Sequence, residues 1–134
     1  MKVIILCVLA AFSLANSTTL AGQETLAELA KARFKAAEKA FQEFVSSERG
    51  GLTDYQMRYS LSKRLLEAQR DLDSTRENEL RAFESHFDRM VDLEQKIKKR
   101  IREGGITATA RYEGEYYLIE ARFWLEKAKV KVKK

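Results

Sequence analysis

Four stretches of this chain space their apolar side chains at intervals of three and four residues, the period that gathers them on one face of an α-helix. Phe34, Ala37, Phe41 and Phe44 share a face in the first, and Leu61, Leu65, Ala68 and Leu72 in the second. The third runs Leu80, Phe83, Phe87, Met90, Ile97 and Ile101, with Glu94 standing where the pattern would place an apolar residue. Tyr112, Tyr116, Ile119, Phe123 and Val130 form the fourth stripe, broadened by Tyr117, Ala121, Trp124 and Ala128. Helices are therefore expected near 26–49, 54–73, 75–103 and 108–132, each turning its stripe toward a common core. The fold class that follows is all-α: two antiparallel helical hairpins forming an up-down bundle or an elongated coiled-coil-like assembly.

Punctuation between the stripes supports those boundaries. Thr25 with Glu28, Thr53 with Gln56, and Ser74 with Glu77 have the spacing of a capping box. There, a hydroxyl accepts from an orphan amide and the acidic or amide side chain accepts from, or bonds to, the cap's own backbone. Gly50-Gly51 and Gly104-Gly105 are placed to end the first and third helices, since glycine enters the left-handed conformation at no steric cost. Near Asp73–Thr75 no glycine or proline enforces a turn, so one continuous helix from Asp54 to Glu103 stays open as an alternative. The two hairpins also align with one another at an offset of 53, pairing Tyr59 with Tyr112, Leu66 with Ile119, Ala68 with Ala121 and Leu72 with Leu125, which reads as an internal repeat.

Composition changes the picture at the N-terminus. Met1-Lys2 is followed by an uncharged apolar run from Val3 to Leu14 and then by small residues, the make-up of a secretory signal peptide. Ala15 with Ser17 allows cleavage before Thr18, and Thr19 with Ala21 allows it before Gly22; the second is preferred, giving a signal of 1–21 and a helical domain of 22–134. The run is shorter than the ~20 residues of a transmembrane helix. The expectation is an exported protein of the periplasm or cell envelope, with no transmembrane span in the mature chain. Cys7, the single cysteine, leaves with the signal, which removes disulfides from the mature chain. Proline is absent and glycine occurs six times in 134 residues, a composition that favours long helices over β-structure.

Gly51-Leu52-Thr53-Asp54, followed by Leu61, Leu65, Ala68 and Leu72, resembles the helical-hairpin turn of bacterial outer-membrane efflux proteins, the TolC family. In that family a helix ends in a glycine turn, and a Ser/Thr and an acidic residue start the return helix. Gly105-Ile106-Thr107 leading into Leu118, Ala121 and Leu125 repeats the pattern, with Ala108 in place of the acid. The resemblance spans nearly the whole mature chain. It implies a structural or protein-interaction role, an association with efflux transmembrane transport, and hairpin turns (Gly50, Gly51, Leu52, Thr53 and Asp54; Gly104, Gly105, Ile106 and Thr107) that meet a protein partner. Leu52 and Ile106 are the apolar residues expected to be exposed at those turns. The chain has no alternating segments suited to barrel strands, so it is similar to a detached helical portion of such a protein.

Catalytic chemistry finds little foothold. His86 is the only histidine, Phe83 stands where a Glu-x-x-His metal pair would need a carboxylate, and Ser85 beside it points another way around the helix. A helix-surface or boundary position is expected for His86, with no catalytic residue, cofactor or metal. Glu94 is expected to turn out at the bundle edge, to set register, or to pair with an arginine such as Arg64.

Basic residues outnumber acidic ones by 25 to 20, and they cluster at Lys96, Lys98, Lys99, Arg100 and Arg102 and again at Lys127, Lys129, Lys131, Lys133 and Lys134. Both clusters lie at helix C-termini, where cations complement the macrodipole. A solvated surface is the leading reading, an anionic envelope component the next, and nucleic acid the least favoured given export. The functional expectation is thus a non-enzymatic module that binds protein partners or itself through helix packing. The alternative is a soluble periplasmic binding or chaperone-like bundle that uses its aromatics and basic ends.

Overall fold

The computed structural model describes residues 25–48 and 54–132. It is all-α, with α1 Leu26–Ser47, α2 Tyr55–Leu72, α3 Arg76–Arg102 and α4 Ala108–Val132, and no strand among the described residues. The signal segment and the first hairpin turn, Gly50, Gly51, Leu52 and Thr53, lie outside the described residues.

Helices α1, α2 and α3 begin where a short polar side chain takes an orphan amide. Thr25 closes a complete capping box with Glu28: its hydroxyl accepts from Glu28 N at 3.2 Å and its own N–H donates to the Glu28 carboxylate at 2.8 Å. The other two caps stand one residue later than the spacing suggested. Asp54, not Thr53, caps α2 by accepting from Met57 N at 2.8 Å. Thr75, not Ser74, caps α3 by accepting from Asn78 N at 3.3 Å.

The α2–α3 corner settles the question of one helix or two. Asp73 adopts an extended conformation, and its carboxylate accepts from Thr75 N at 2.9 Å and from the Thr75 hydroxyl at 2.8 Å. Asn78 then donates to the carbonyls of Gln69 at 2.8 Å and Asp73 at 2.9 Å, tying the end of one helix to the start of the next. Side-chain hydrogen bonds thus make a sharp corner without glycine or proline.

The α3–α4 corner uses glycine as expected. Gly104 has φ +69°, Gly104 N donates to Ile101 O at 3.0 Å, and Gly105 N donates to Arg100 O at 2.9 Å, the paired bonds of a Schellman motif. Ile106 does not project from this turn: it is half-buried and packs on the core formed by Met90, Leu93, Ile97, Ala110 and Ala121.

Consecutive helices are antiparallel neighbours, α1 on α2, α2 on α3 and α3 on α4. Ion pairs and hydrogen bonds mark the register: Arg33 to Asp71 and Arg58 to Glu48 between α1 and α2, Arg58 to Asp92 and Arg70 to Glu79 between α2 and α3, and Arg76 to the Lys131 carbonyl between α3 and α4. Tyr59 of α2 stacks on Tyr117 of α4 with ring centroids 3.9 Å apart, which closes α2, α3 and α4 into a three-helix unit. Its core is Leu61, Leu65, Leu66 and Ala68 from α2, Ala82, Met90, Leu93 and Ile97 from α3, and Ala110, Ala121, Leu125 and Ala128 from α4. Helix α1 buries no residue fully and lies on the flank, with Phe34, Phe41 and Phe44 half-covered.

Positions paired by the apparent repeat mostly differ in environment. Ala68 and Ala121 are both fully buried, but Leu66 is buried where Ile119 is exposed, and Leu125 is buried where Leu72 is exposed.

Candidate interaction surface on the last helix

Helix α4 is apolar on two opposite sides. Ala110, Gly114, Ala121, Leu125 and Ala128 face the bundle, and their small size lets α4 approach α3 closely. At Gly114 the approach is limiting, since a Cβ there would stand 2.7 Å from Ile97 Cδ1. Tyr112, Tyr116, Ile119, Phe123 and Val130, expected from their period to be core, lie on the other side and are 58–68% exposed. Periodicity alone cannot say which of two apolar faces turns inward. Side-chain volume decides it here, because the narrow α3–α4 gap accepts alanine and glycine and excludes tyrosine and phenylalanine.

A second surface feature is a groove between α2 and α4 with α3 as its floor. It holds a cavity of about 260 Å³ lined by Lys63, Arg70, Phe83, Trp124, Lys127 and Lys131 among others. Lys63 Nζ sits 5.5 Å from the centre of the Trp124 ring and Arg70 lies 5.1 Å over Phe83, so cations and aromatic faces alternate along its walls. Glu79 pairs with both Arg70 and Lys131 at one end of it.

Beneath these surfaces runs a buried polar ladder. Arg58, almost fully buried, pairs with the buried Glu48 at the end of α1 and with Asp92 of α3, and its guanidinium lies 6.0 Å from the Phe41 ring. One turn further along α2, the Ser62 hydroxyl lies 2.8 Å from His86 Nδ1 and accepts from Arg89 Nε at 2.7 Å. One serine oxygen thus contacts both the Arg89 guanidinium and the His86 ring. Burial, reinforced by the positive charges of Arg89 and Lys63, pushes the His86 pKa down to about 4. Burial likewise lowers that of Arg89 to about 10.

The surface or boundary position expected for His86 is thus corrected: the ring is fully buried, with Trp124 stacked 5.7 Å away. Ser62 and His86 form a serine–histidine contact, but neither side chain exposes any surface. The contact partners the Ser62 hydroxyl and His86 Nδ1, leaves His86 Nε2 without a hydrogen-bond partner, and gives a substrate no route to the hydroxyl.

Of the turn residues singled out in the sequence, Asp54 serves as a helix cap, Gly104 and Gly105 as a helix stop, and Ile106 as packing. Thr107 O accepts from Ala110 N at 3.1 Å in the first turn of α4. Glu94 pairs with Lys98 on its own helix rather than with Arg64. Much of the first basic cluster is likewise paired within α3, Lys96 with Asp92 and both Lys99 and Arg100 with Glu103. Among the described residues no three His, Cys, Asp or Glu side chains gather as a metal site, and no helix is long and apolar enough to cross a membrane.

The sequence carried a signal for the buried ladder that period-counting on large apolar residues passed over. Ala82, His86, Met90, Leu93 and Ile97 are themselves spaced by four, four, three and four residues, and Arg58 and Ser62 share the buried face of α2 with Leu61 and Leu65. The fold and surfaces together define an all-α helical bundle with one large apolar helix face uncovered. No family model, curated protein or solved structure matches the chain.

Proposed function

We propose that this chain is an exported, non-enzymatic helical module that acts by helix-on-helix contact, with the outer face of α4 as its working surface. The observation that carries the reading is the row Tyr112, Tyr116, Ile119, Phe123 and Val130, five large apolar side chains exposed along one line of one helix. Soluble monomers seldom leave a contiguous apolar patch of that kind uncovered, and aromatic residues are the usual anchors of protein interfaces. The resemblance of the two glycine turns to TolC-type hairpins supports the same class of role and extends it to an association with efflux transport in the cell envelope. In this chain the proposed contact moves from the hairpin tips to a helix face, because Ile106 is spent on packing.

Photo-crosslinking in cells tests the reading. A benzophenone side chain at position 123 of the full chain should give a protein adduct in the envelope fraction, and the same probe at Gln95, an exposed position on α3, should give none. Equal yields at both positions, or none at either, would overturn the assignment of the surface. The N-terminus of the same fraction should begin between Thr18 and Gln23; retention of Met1 on a cytoplasmic protein would overturn export.

A second reading, a binding bundle, is favoured by the α2–α4 groove. Its apolar lining, with Lys63 and Lys127 beside Trp124 and Phe83, suits a small organic anion with a flat apolar body. Trp124 is the only tryptophan and lines that groove, so saturable quenching of its fluorescence by a naphthalene sulfonate, weakened by Lys63→Gln with Lys127→Gln, would support it. Quenching that is linear and unchanged by the substitutions would dismiss it.

A further inference from the structure

The exposed line on α4 has a stricter order than an apolar patch requires. Tyr112, Tyr116, Ile119, Phe123, Glu126 and Val130 succeed one another by four, three, four, three and four residues, the heptad seam of a two-stranded coiled coil. Over those residues the seam runs about 27 Å at 1.5 Å per residue, and the bundle leaves all of it uncovered. The positions that flank it are Glu113, Glu120 and Lys127 on the α2 side and Glu115, Arg122 and Lys129 on the other.

These flanking charges choose a partner and a direction. Consider two copies of α4 side by side in parallel. Glu115 would then meet Glu120 of the second copy, Arg122 would meet Lys127, and each Glu126 would stack on its twin in the seam, so every near contact joins like charges. In the antiparallel arrangement, with a two-fold axis near Ala121, Tyr112 opposes Val130 and Ile119 opposes Phe123. Glu115 then faces Lys129, and Glu126 lies opposite Tyr116 and no longer opposite its own twin. Each complementary contact occurs twice because the interface is isologous. Glu120 meets its own copy at the axis, but the Tyr59 hydroxyl of α2 draws it toward the bundle. Arg122 against Arg122 is the other like-charge contact at the axis.

We propose that α4 pairs with α4 of a second copy of this chain, antiparallel about a two-fold axis near Ala121, through the seam Tyr112–Tyr116–Ile119–Phe123–Val130 and the charge contacts Glu115–Lys129. The proposal rests on the reading of α4's outer face as the working surface, and it names the partner. Because the bundle already holds α4 helical, pairing does not have to order the helix, the main obstacle for so short a coiled coil.

Light scattering on the purified protein over a wide concentration range should show a mass that rises to twice that of the protomer. Lys129→Glu alone and Glu115→Lys alone should each weaken self-association about tenfold or more by placing like charges opposite one another. Mixing the Glu115→Lys chain with the Lys129→Glu chain should restore the dimer as a mixed species, and the doubly exchanged chain should dimerise by itself. Both substitutions are at surface positions, and unchanged far-ultraviolet circular dichroism confirms the fold of each variant. A mixture that stays monomeric overturns the antiparallel pairing. A wild-type protein that stays monomeric overturns self-association; if position 123 then still crosslinks to a different protein in cells, the working surface stands with another occupant. Monomer together with absent crosslinks overturns both.

Discussion

The Ser62 hydroxyl lies 2.8 Å from His86 Nδ1 across the α2–α3 interface, with both residues fully buried. Because Arg89 Nε donates to the same hydroxyl, one oxygen joins a cation to an imidazole inside the core. Burial and the positive charge of Arg89 favour the neutral ring over the imidazolium, against the opposing pull of a hydrogen bond to Ser62. The cluster is a small polar network whose integrity depends on protonation.

The pH dependence follows in sign and window. In the unfolded chain His86 binds its proton near 6.5, whereas in the folded protein burial and the neighbouring cations hold that step down to about 4. Between those values the unfolded state carries the extra proton, so stability is complete above the upper value and declines as pH falls toward the lower one. The full difference corresponds to roughly 3 kcal/mol. Urea titrations at a series of pH values measure it. Carboxylates add their own slope toward the acid end, so the diagnostic quantity is the wild type compared with His86→Gln, which should be flatter through this window. Equal slopes would show that His86 is not the titrating group.

How far the fold could be read from the chain depended on what each element asked of its residues. Helix positions came from apolar period, and glycine at position 104 announced a stop that the positive φ then used. Two caps stood one residue off because Ser74-Thr75 and Thr53-Asp54 each offer two competent side chains in a row, and a capping side chain is selected by the backbone path and not by spacing. The corner at Asp73 was illegible as glycine or proline punctuation, although Asp73, Thr75 and Asn78 carry it in full. Helix α4 misled for a physical reason: it has two apolar seams, and the larger residues drew attention to the side that faces solvent. The burial of Arg58, Ser62 and His86 is not legible from apolar period, which counts polar residues as surface, when in pairs they are part of the core.

The two glycines of the α3–α4 turn should respond differently to substitution. Gly104 has φ +69° with open space around its absent side chain, so the cost of Gly104→Ala is conformational and should be about 1 kcal/mol. At Gly105 the backbone is unconstrained, but a Cβ would stand 2.7 Å from the end of the Arg100 side chain, which can swing toward solvent. Gly105→Ala should therefore change stability by only a few tenths of a kcal/mol. Thermal melts of the two variants make the comparison. Equal losses would mean that Arg100 is held in place and that the turn is a packed site rather than a conformational one.

A sharper test of how α4 meets α3 lies at Gly114 and Ile97. Glycine within a helix costs about 1 kcal/mol relative to alanine, so Gly114→Ala would stabilise the protein if space allowed. Space does not allow it: the new methyl would meet Ile97 Cδ1 at 2.7 Å, while Ile97 Cγ2 and Cβ stand at an ordinary 3.6 and 3.7 Å. Ile97 is itself buried in the core beside Met90 and Leu93 and cannot turn aside freely. Gly114→Ala alone should thus lower stability by roughly 1 kcal/mol, the overpacking outweighing the helix gain. Ile97→Val removes Cδ1, the atom in conflict, and costs about 1 kcal/mol by itself. In that background Gly114→Ala should reverse sign and stabilise, giving a coupling of about 1–2 kcal/mol between the two positions. A double variant whose loss equals the sum of the single losses would show that α4 approaches α3 less closely than this contact requires, and the separation of its two apolar faces by side-chain size would lose its basis.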